Sequence, residues 1–180
     1  MKIAITGHSA GIGQALAKQY EHRGHEIVGL STRYGDNIKN IYKVADKIEP
    51  CNVFINNAQA GFAQTELAWE VYRRWENKEN HAIINISSMI TSQLQVTSDI
   101  QEYRIQKLAL EETHRQMLSN GTWPRVCLVK PGTVKTATTL SGVDVDKWAE
   151  TLVNILEQEG PTQVHEISLG QRFGDWWNES

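Results

Sequence analysis

The chain opens with a short apolar run, Lys2-Ile3-Ala4-Ile5, that leads directly into Thr6-Gly7-His8-Ser9-Ala10-Gly11-Ile12-Gly13. A helix-forming segment, Gln14-Ala15-Leu16-Ala17-Lys18-Gln19-Tyr20, follows at once. A strand that meets three glycines and then a helix must reverse sharply and pack the helix closely on the strand. Gly7 suits the reversal, Gly11 lets backbone N–H groups approach a bound group with no Cβ in the way, and Gly13 permits tight helix–strand packing. The helix N-terminus adds partial positive charge suited to phosphate. This order of elements predicts a dinucleotide-binding unit at the start of the chain.

Apolar and helical segments alternate through the remainder. Strand candidates are Lys2–Thr6, Glu26–Ser31, Asn52–Asn56, Ala82–Ser87, Arg125–Val129 and Val164–Ser168, mostly rich in Val, Ile and Leu as strands buried on both faces are. Helix candidates are Gly11–Arg23, Asn37–Ile48, Phe62–Lys78, Ile100–Leu118 and Asp144–Gln158. Gly24, Pro50, Gly121, Pro124 and Gly160-Pro161 stand at the helix exits. Such alternation implies right-handed crossovers and one doubly wound parallel sheet of about six strands with helices on both faces. The 180 residues are read as one NAD(P)-binding Rossmann-type domain, 1–180.

Charge is nearly balanced, with 18 basic and 21 acidic residues and a net charge of −3, and no basic run points to nucleic acid or an anionic membrane. No segment approaches the roughly 18 consecutive apolar residues of a membrane span. The first residues lack the apolar core of a secretory signal, so a cytoplasmic protein is expected. Cys51 and Cys127 lie in apolar strand-like runs and read as buried free thiols. No cysteine or histidine spacing suggests a metal site. The six histidines read as surface or turn residues, with His8 singled out by its place in the glycine turn.

Two further groups carry chemistry. The second strand ends Leu30-Ser31-Thr32-Arg33, with no acid before Asp36. A carboxylate at that place binds a ribose 2′-hydroxyl, whereas hydroxyls and a guanidinium suit a 2′-phosphate, so Thr32 and Arg33 favour NADP(H) over NAD(H). Tyr103 and Lys107 stand four apart on a helix and share a face. An ammonium beside a phenol draws its pKa down from about 10, which makes tyrosine a proton donor and acceptor near neutrality. Ser88 closes the strand Ile83–Ser87 on the carboxyl edge of the sheet, where open α/β sheets bind ligands.

With these residues in view, the chain resembles the short-chain dehydrogenase/reductase family, as an unusually short member. It carries that family's Thr-Gly-x-x-x-Gly-x-Gly turn as Thr6–Gly13, its Asn-Asn-Ala strand end as Asn56-Asn57-Ala58, and its serine as Ser88. The Tyr-x-x-x-Lys pair is Tyr103 and Lys107, and Pro131-Gly132-Thr133-Val134-Lys135-Thr136 matches the family's Pro-Gly-x-Val-x-Thr stretch. The resemblance implies hydride transfer between a nicotinamide and a small carbonyl or alcohol substrate. Tyr103 would exchange the proton, Ser88 would orient the substrate oxygen, and Lys107 would lower the tyrosine pKa and hold the nicotinamide ribose. Gly7, Ser9, Gly11, Ile12 and Gly13 would line the pyrophosphate and adenosine, and Asn57 and Ala58 the ribose region. Val134 would meet the carboxamide, Thr136 the phosphates, and Asp36 the adenine amino group. A homodimer or homotetramer is also implied.

Departures from the family pattern set further expectations. The segment after Arg33 runs almost directly into the next helix, so the family's outer strand after the second strand is expected to be reduced or missing. Ser88 follows Asn57 by only 31 positions, and no asparagine lies within Phe62–Trp75 to serve the family's lysine-linked proton relay. Gln59 and Asn56 are the candidates to replace it. The stretch between Thr136 and Asp144 is short for a substrate lid, and Phe173, Trp176 and Trp177 read either as cover for the pocket or as packing. Trp69, Tyr72 and Trp75 form a helical stripe read as core or, alternatively, as a subunit interface. The retained serine, tyrosine and lysine favour an enzyme. The trimmed adenine side and lid leave an alternative, a catalytically weak NADP(H)-binding sensor or scaffold. An extended-type epimerase fits less well, because its glycine spacing differs.

Overall fold

A computed structural model describes residues 1–121, 123–158 and 162–171. The apolar runs form β1 (Lys2–Thr6), β2 (Glu26–Leu30), β3 (Val53–Asn56), β4 (Ala82–Ile86) and β5 (Arg125–Pro131). Two short strands, β6 (Val134–Lys135) and β7 (Val143–Asp144), pair with each other apart from the main sheet, and β8 (Glu166–Leu169) follows. The helices are α1 (Gly11–His22), α2 (Ile41–Ile48), α3 (Ala63–Trp75), α4 (Gln101–Asn120) and α5 (Val145–Leu156).

The main sheet has the order β2-β1-β3-β4-β5-β8, and every pairing in it is parallel. Strand neighbours change direction of progression at β1, which opens a crevice at the carboxyl ends of β1 and β3. Beyond β2 the chain makes a 3-10 turn at Thr32–Tyr34 and enters α2, so β2 is the sheet edge among the described residues. The expected loss of the outer strand is what the structure shows.

Alternation within the strands divides the core into two layers. Ala4, Phe54, Ile83 and Val126 face α2, α3 and α4, which contribute Val44, Ile48, Leu67, Val71, Trp75, Leu110 and Met117. Ile3, Ile5, Ile55, Ile84 and Val129 face α1 and α5, which contribute Leu16, Tyr20, Trp148, Leu152 and Val153. Tyr72 and Trp75 are buried in the first layer with Trp69 packed on its rim, so the aromatic stripe is core. Cys51 and Cys127 are buried free thiols, as their context suggested. No helix among the described residues is long and apolar enough to cross a membrane. Phe173, Trp176 and Trp177 lie outside the described residues.

One reading from the sequence is corrected. His114 is not at the surface: it is 1% exposed on α4, one turn from Leu110 and next on that face to Met117. Its helical position therefore decides its burial, and burial pushes its imidazole below the ordinary range.

Trp75 is fully buried and its indole N–H donates to the Glu49 carbonyl at 3.3 Å, tying α3 to the end of α2. Trp75→Ala should cost about 3–5 kcal/mol, measured by urea denaturation. A loss below about 1 kcal/mol would contradict this packing.

Candidate active site

The glycine turn is built from contacts too close for side chains. A Cβ on Gly13 would fall on the Gly7 carbonyl and 2.7 Å from Asn57 Nδ2. The turn is knitted to β3 through Thr6, whose hydroxyl accepts from the N–H groups of Asn57 (3.0 Å) and Ala58 (3.1 Å). Asn57 Nδ2 returns a hydrogen bond to the Thr6 carbonyl at 3.0 Å. The first turn of α1 carries no side-chain cap, because Ala10 occupies the N-cap. Its N–H groups are therefore free to meet an anion.

Ala10, Gly11 and Ile12 form one end of a cleft of about 800 Å³ at the carboxyl edge of the sheet. The same cleft is lined by Asn57, Ala58, Ser88, Tyr103, Lys107, Pro131, Gly132, Val134 and Thr136. Gly11, Ile12, Gln59 and the nine residues just named, all singled out from the sequence, thus meet at one place. Gly7 and Gly13 shape the turn beneath it, and Ser9 is on the turn but does not line the cleft. Thr32 and Arg33 are exposed on the 3-10 turn after β2, outside the cleft.

Asp36 lies at the edge of the sheet, outside the cleft. It is 7% exposed and ion-paired to Lys47 at 2.5 Å, with its backbone N–H bound to the Ser31 carbonyl. Its carboxylate is held by α2 rather than presented to the cleft, because the missing strand brings α2 directly behind it. His8 stacks on Tyr34 with ring centroids 5.5 Å apart and lies over Gly29 of β2, where any side chain would strike the imidazole.

At the centre, Lys107 is 3% exposed and donates to Gln64 Oε1 and to the Ile86 carbonyl, both at 2.8 Å. Its nitrogen is 5.6 Å from the centroid of the Tyr103 ring. Burial pushes the Lys107 amine down to about 7, with Glu111 acting weakly the other way. Burial also raises the Tyr103 phenol above its ordinary range, while Ser88 beside it acts in the opposite direction. This corrects the expectation that Lys107 lowers the tyrosine pKa in the protein alone. Desolvation dominates both groups, and a lysine that is only partly charged near neutrality exerts little pull. Ser88 Oγ accepts from the Ile90 N–H at 3.3 Å, which leaves its hydroxyl proton free to donate.

Neither candidate for the missing asparagine reaches Lys107. Asn56 Nδ2 is engaged by Asn85 Oδ1 (2.9 Å) and the Gln64 carbonyl (3.0 Å), and exposed Gln59 binds Gln106. The residue on Lys107 is Gln64, which the sequence reading passed over. A signal was present: Gln64 shares the helical face of Leu67, Ala68 and Val71, so a polar group at that register needs a buried partner. The short lid is pinned to itself, with the Thr136 N–H bound to the Thr139 carbonyl (2.8 Å) and the Val143 N–H to the Thr133 carbonyl (3.0 Å).

A parallel doubly wound sheet with a glycine turn at its switch point is a Rossmann-type fold. More specifically, the chain has the fold of the short-chain dehydrogenases and reductases. An alcohol dehydrogenase from the archaeon Thermococcus sibiricus, complexed with 5-hydroxy-NADP, superposes with a TM-score of 0.77 at 16% identity, covering 97% of this chain and 99% of that one. A metagenomic short-chain oxidoreductase in complex with NADP gives 0.74 at 17% identity over 96% and 98% of the two chains. A 4-hydroxyisoleucine dehydrogenase complexed with NADH gives 0.70 at 16% identity over 93% and 96%. No family sequence model and no curated protein matches the chain, so the likeness is one of structure.

The buried amine makes a stability prediction. Unfolded, Lys107 returns to about 10.4, so between about pH 7 and 10 the unfolded chain holds the extra proton and stability rises with pH. Wild type should therefore gain on the order of 3 kcal/mol relative to Lys107→Met across that window, read from urea denaturation at its two ends. Parallel pH dependences in the two proteins would contradict the buried, depressed lysine.

Proposed function

We propose that the protein is an NADP(H)-dependent oxidoreductase of the short-chain dehydrogenase/reductase type, acting between a carbonyl and the corresponding alcohol. The observation that carries this reading is that Ser88, Tyr103 and Lys107 open onto the same cleft as the uncapped N-terminus of α1. A protein that only bound a dinucleotide would need neither a serine nor a proton-carrying phenol there.

The residues fit the cofactor. The uncapped N–H groups at Ala10–Ile12 suit the pyrophosphate, and Thr136 stands across from Gly11, its methyl 3.6 Å from where a Cβ would be. NADP(H), when bound, supplies or accepts the hydride. In the reducing direction Tyr103 gives its proton to the substrate oxygen, and in the oxidising direction it takes that proton back. The high phenol pKa keeps the proton on Tyr103 at neutral pH, where reduction needs it. Ser88 donates a hydrogen bond to the same oxygen. In its charged form Lys107 has two donors committed to Gln64 and Ile86 and a third available to a ribose hydroxyl in the cleft.

The preference for NADP(H) rests on charge. With Asp36 neutralised by Lys47, no free carboxylate follows β2, and exposed Arg33 provides a forked donor for a 2′-phosphate.

The test is NADPH oxidation against a panel of ketones, aldehydes and quinones. Tyr103→Phe should lower turnover by about 10²–10⁴-fold while leaving NADPH binding nearly unchanged. Arg33→Ala should weaken NADPH and not NADH. Tight NADPH binding by wild type with no turnover of any substrate would replace the enzyme with the sensor or scaffold, and equal wild-type affinities for NADPH and NADH would remove the argument from Arg33.

A further inference from the structure

We propose that Gln64 is a positioning residue of this centre: its side-chain oxygen fixes the Lys107 amine in the cleft and, being neutral, sets how readily that amine carries a proton. The part Lys107 plays in turnover rests on the function proposed above. The clamp itself does not.

The orientation of the amide is determined by its surroundings. Gln64 is 2% exposed, and its Nε2 donates to the Asn56 carbonyl at 2.7 Å and the Ile86 carbonyl at 3.0 Å. Both amide protons are used, so Oε1 must face Lys107, 2.8 Å away. A flipped amide would set its NH2 against the amine and its oxygen against two carbonyls. The Ile86 carbonyl accepts from both Gln64 and Lys107, which closes a small ring between α3, β4 and α4. Asn56 Nδ2 anchors the other side of the residue by donating to its backbone carbonyl at 3.0 Å.

The ring has a chemical consequence. Among the described residues, both hydrogen-bond partners of the Lys107 nitrogen are neutral oxygens. From its own helix, Tyr103 presents a ring and Glu111 lies one turn on. Glu111 is already engaged, accepting from Ser87 Oγ at 2.7 Å and pairing with Lys130 of β5 at 3.3 Å, and Lys130 in turn pairs with Glu166 at 3.5 Å. From α3 the Gln64 amide meets the amine, backed by Asn56 of β3, while Glu70 of α3 is paired with Arg73 and Arg74. A buried amine with neutral acceptors loses its proton more readily than one facing a carboxylate. The low value at Lys107 agrees with that placement. Substitution at Gln64 therefore becomes a control on the charge of Lys107 that leaves Lys107, Tyr103 and Ser88 in place.

The experiment is a pH titration of Lys107 by NMR in protein carrying 13C at lysine Cε, with the signal assigned by its loss in Lys107→Arg. Wild type should titrate near 7. The near-isosteric Gln64→Glu should raise the midpoint by more than about one pH unit, and Gln64→Met, which offers no acceptor, should lower it. Gln64→Asn should fall between wild type and Gln64→Met. A wild-type midpoint at the ordinary lysine value, or Gln64→Glu titrating with wild type, overturns the proposal. Should Gln64→Glu fail to fold, Gln64→Met decides alone, a lower midpoint supporting the clamp and an unchanged one overturning it. Turnover is measured separately. Shifted midpoints with no NADPH oxidation would leave the clamp standing and remove the function, whereas turnover with unmoved midpoints would do the reverse.

Discussion

A primary amine sealed against the carboxyl edge of the sheet organises the site. Lys107 has almost no solvent to satisfy it, so its hydrogen bonds to Gln64 and the Ile86 carbonyl are obligatory. Those bonds hold α4 in one rotation and one axial position against β4. Tyr103, one turn earlier on the same face, is then set beside Ser88 at the end of that strand. A second knot, of Thr6 with Asn57 and Ala58, fixes the glycine turn to the end of β3. The glycine turn and Tyr103 are thus placed relative to one another by buried polar contacts rather than by loops.

The structure also shows how much of a dinucleotide fold is dispensable to its cleft. Losing the outer strand leaves β2 at the edge, and the space beyond it is filled by the turn at Thr32–Tyr34 and by α2. The change falls at the end of β2, where Asp36 forms a salt bridge with Lys47 and His8 covers Gly29 with Tyr34 stacked upon it. At the other end of the cleft the short segment between β6 and β7 is bonded to its own backbone. The cleft between these two trimmed regions remains about 800 Å³, within the usual size of a ligand site.

Sequence alone carried the six strands of the main sheet, the five helices and most of the cleft, because period, glycine placement and the Tyr103–Lys107 spacing are local signals; the two-residue strands β6 and β7 are too short to show a period. What it did not carry was set by burial. Gln64 looks like any polar residue in the first turn of a helix until Lys107 is brought to it by the packing of α4. His114 looks like a solvated residue until its register with Leu110 and Met117 is applied. The direction of the Tyr103 shift was missed for the same reason: an i, i+4 ammonium lowers a phenol in water, but desolvation here depresses the ammonium and raises the phenol together. The Asp36 pair with Lys47 was not legible either, because it depends on α2 standing next to β2 where an outer strand is absent.

The central claim is that one cleft holds the dinucleotide and places it against Tyr103 and Ser88. A crystal structure of the NADP+ complex tests it most directly. The account predicts the pyrophosphate on the N–H groups of Ala10–Ile12, a nicotinamide ribose hydroxyl on the free donor of Lys107, and the nicotinamide ring facing Tyr103 and Ser88. Density for NADP+ elsewhere on the protein, or in the cleft with the nicotinamide turned away from Tyr103, would contradict it.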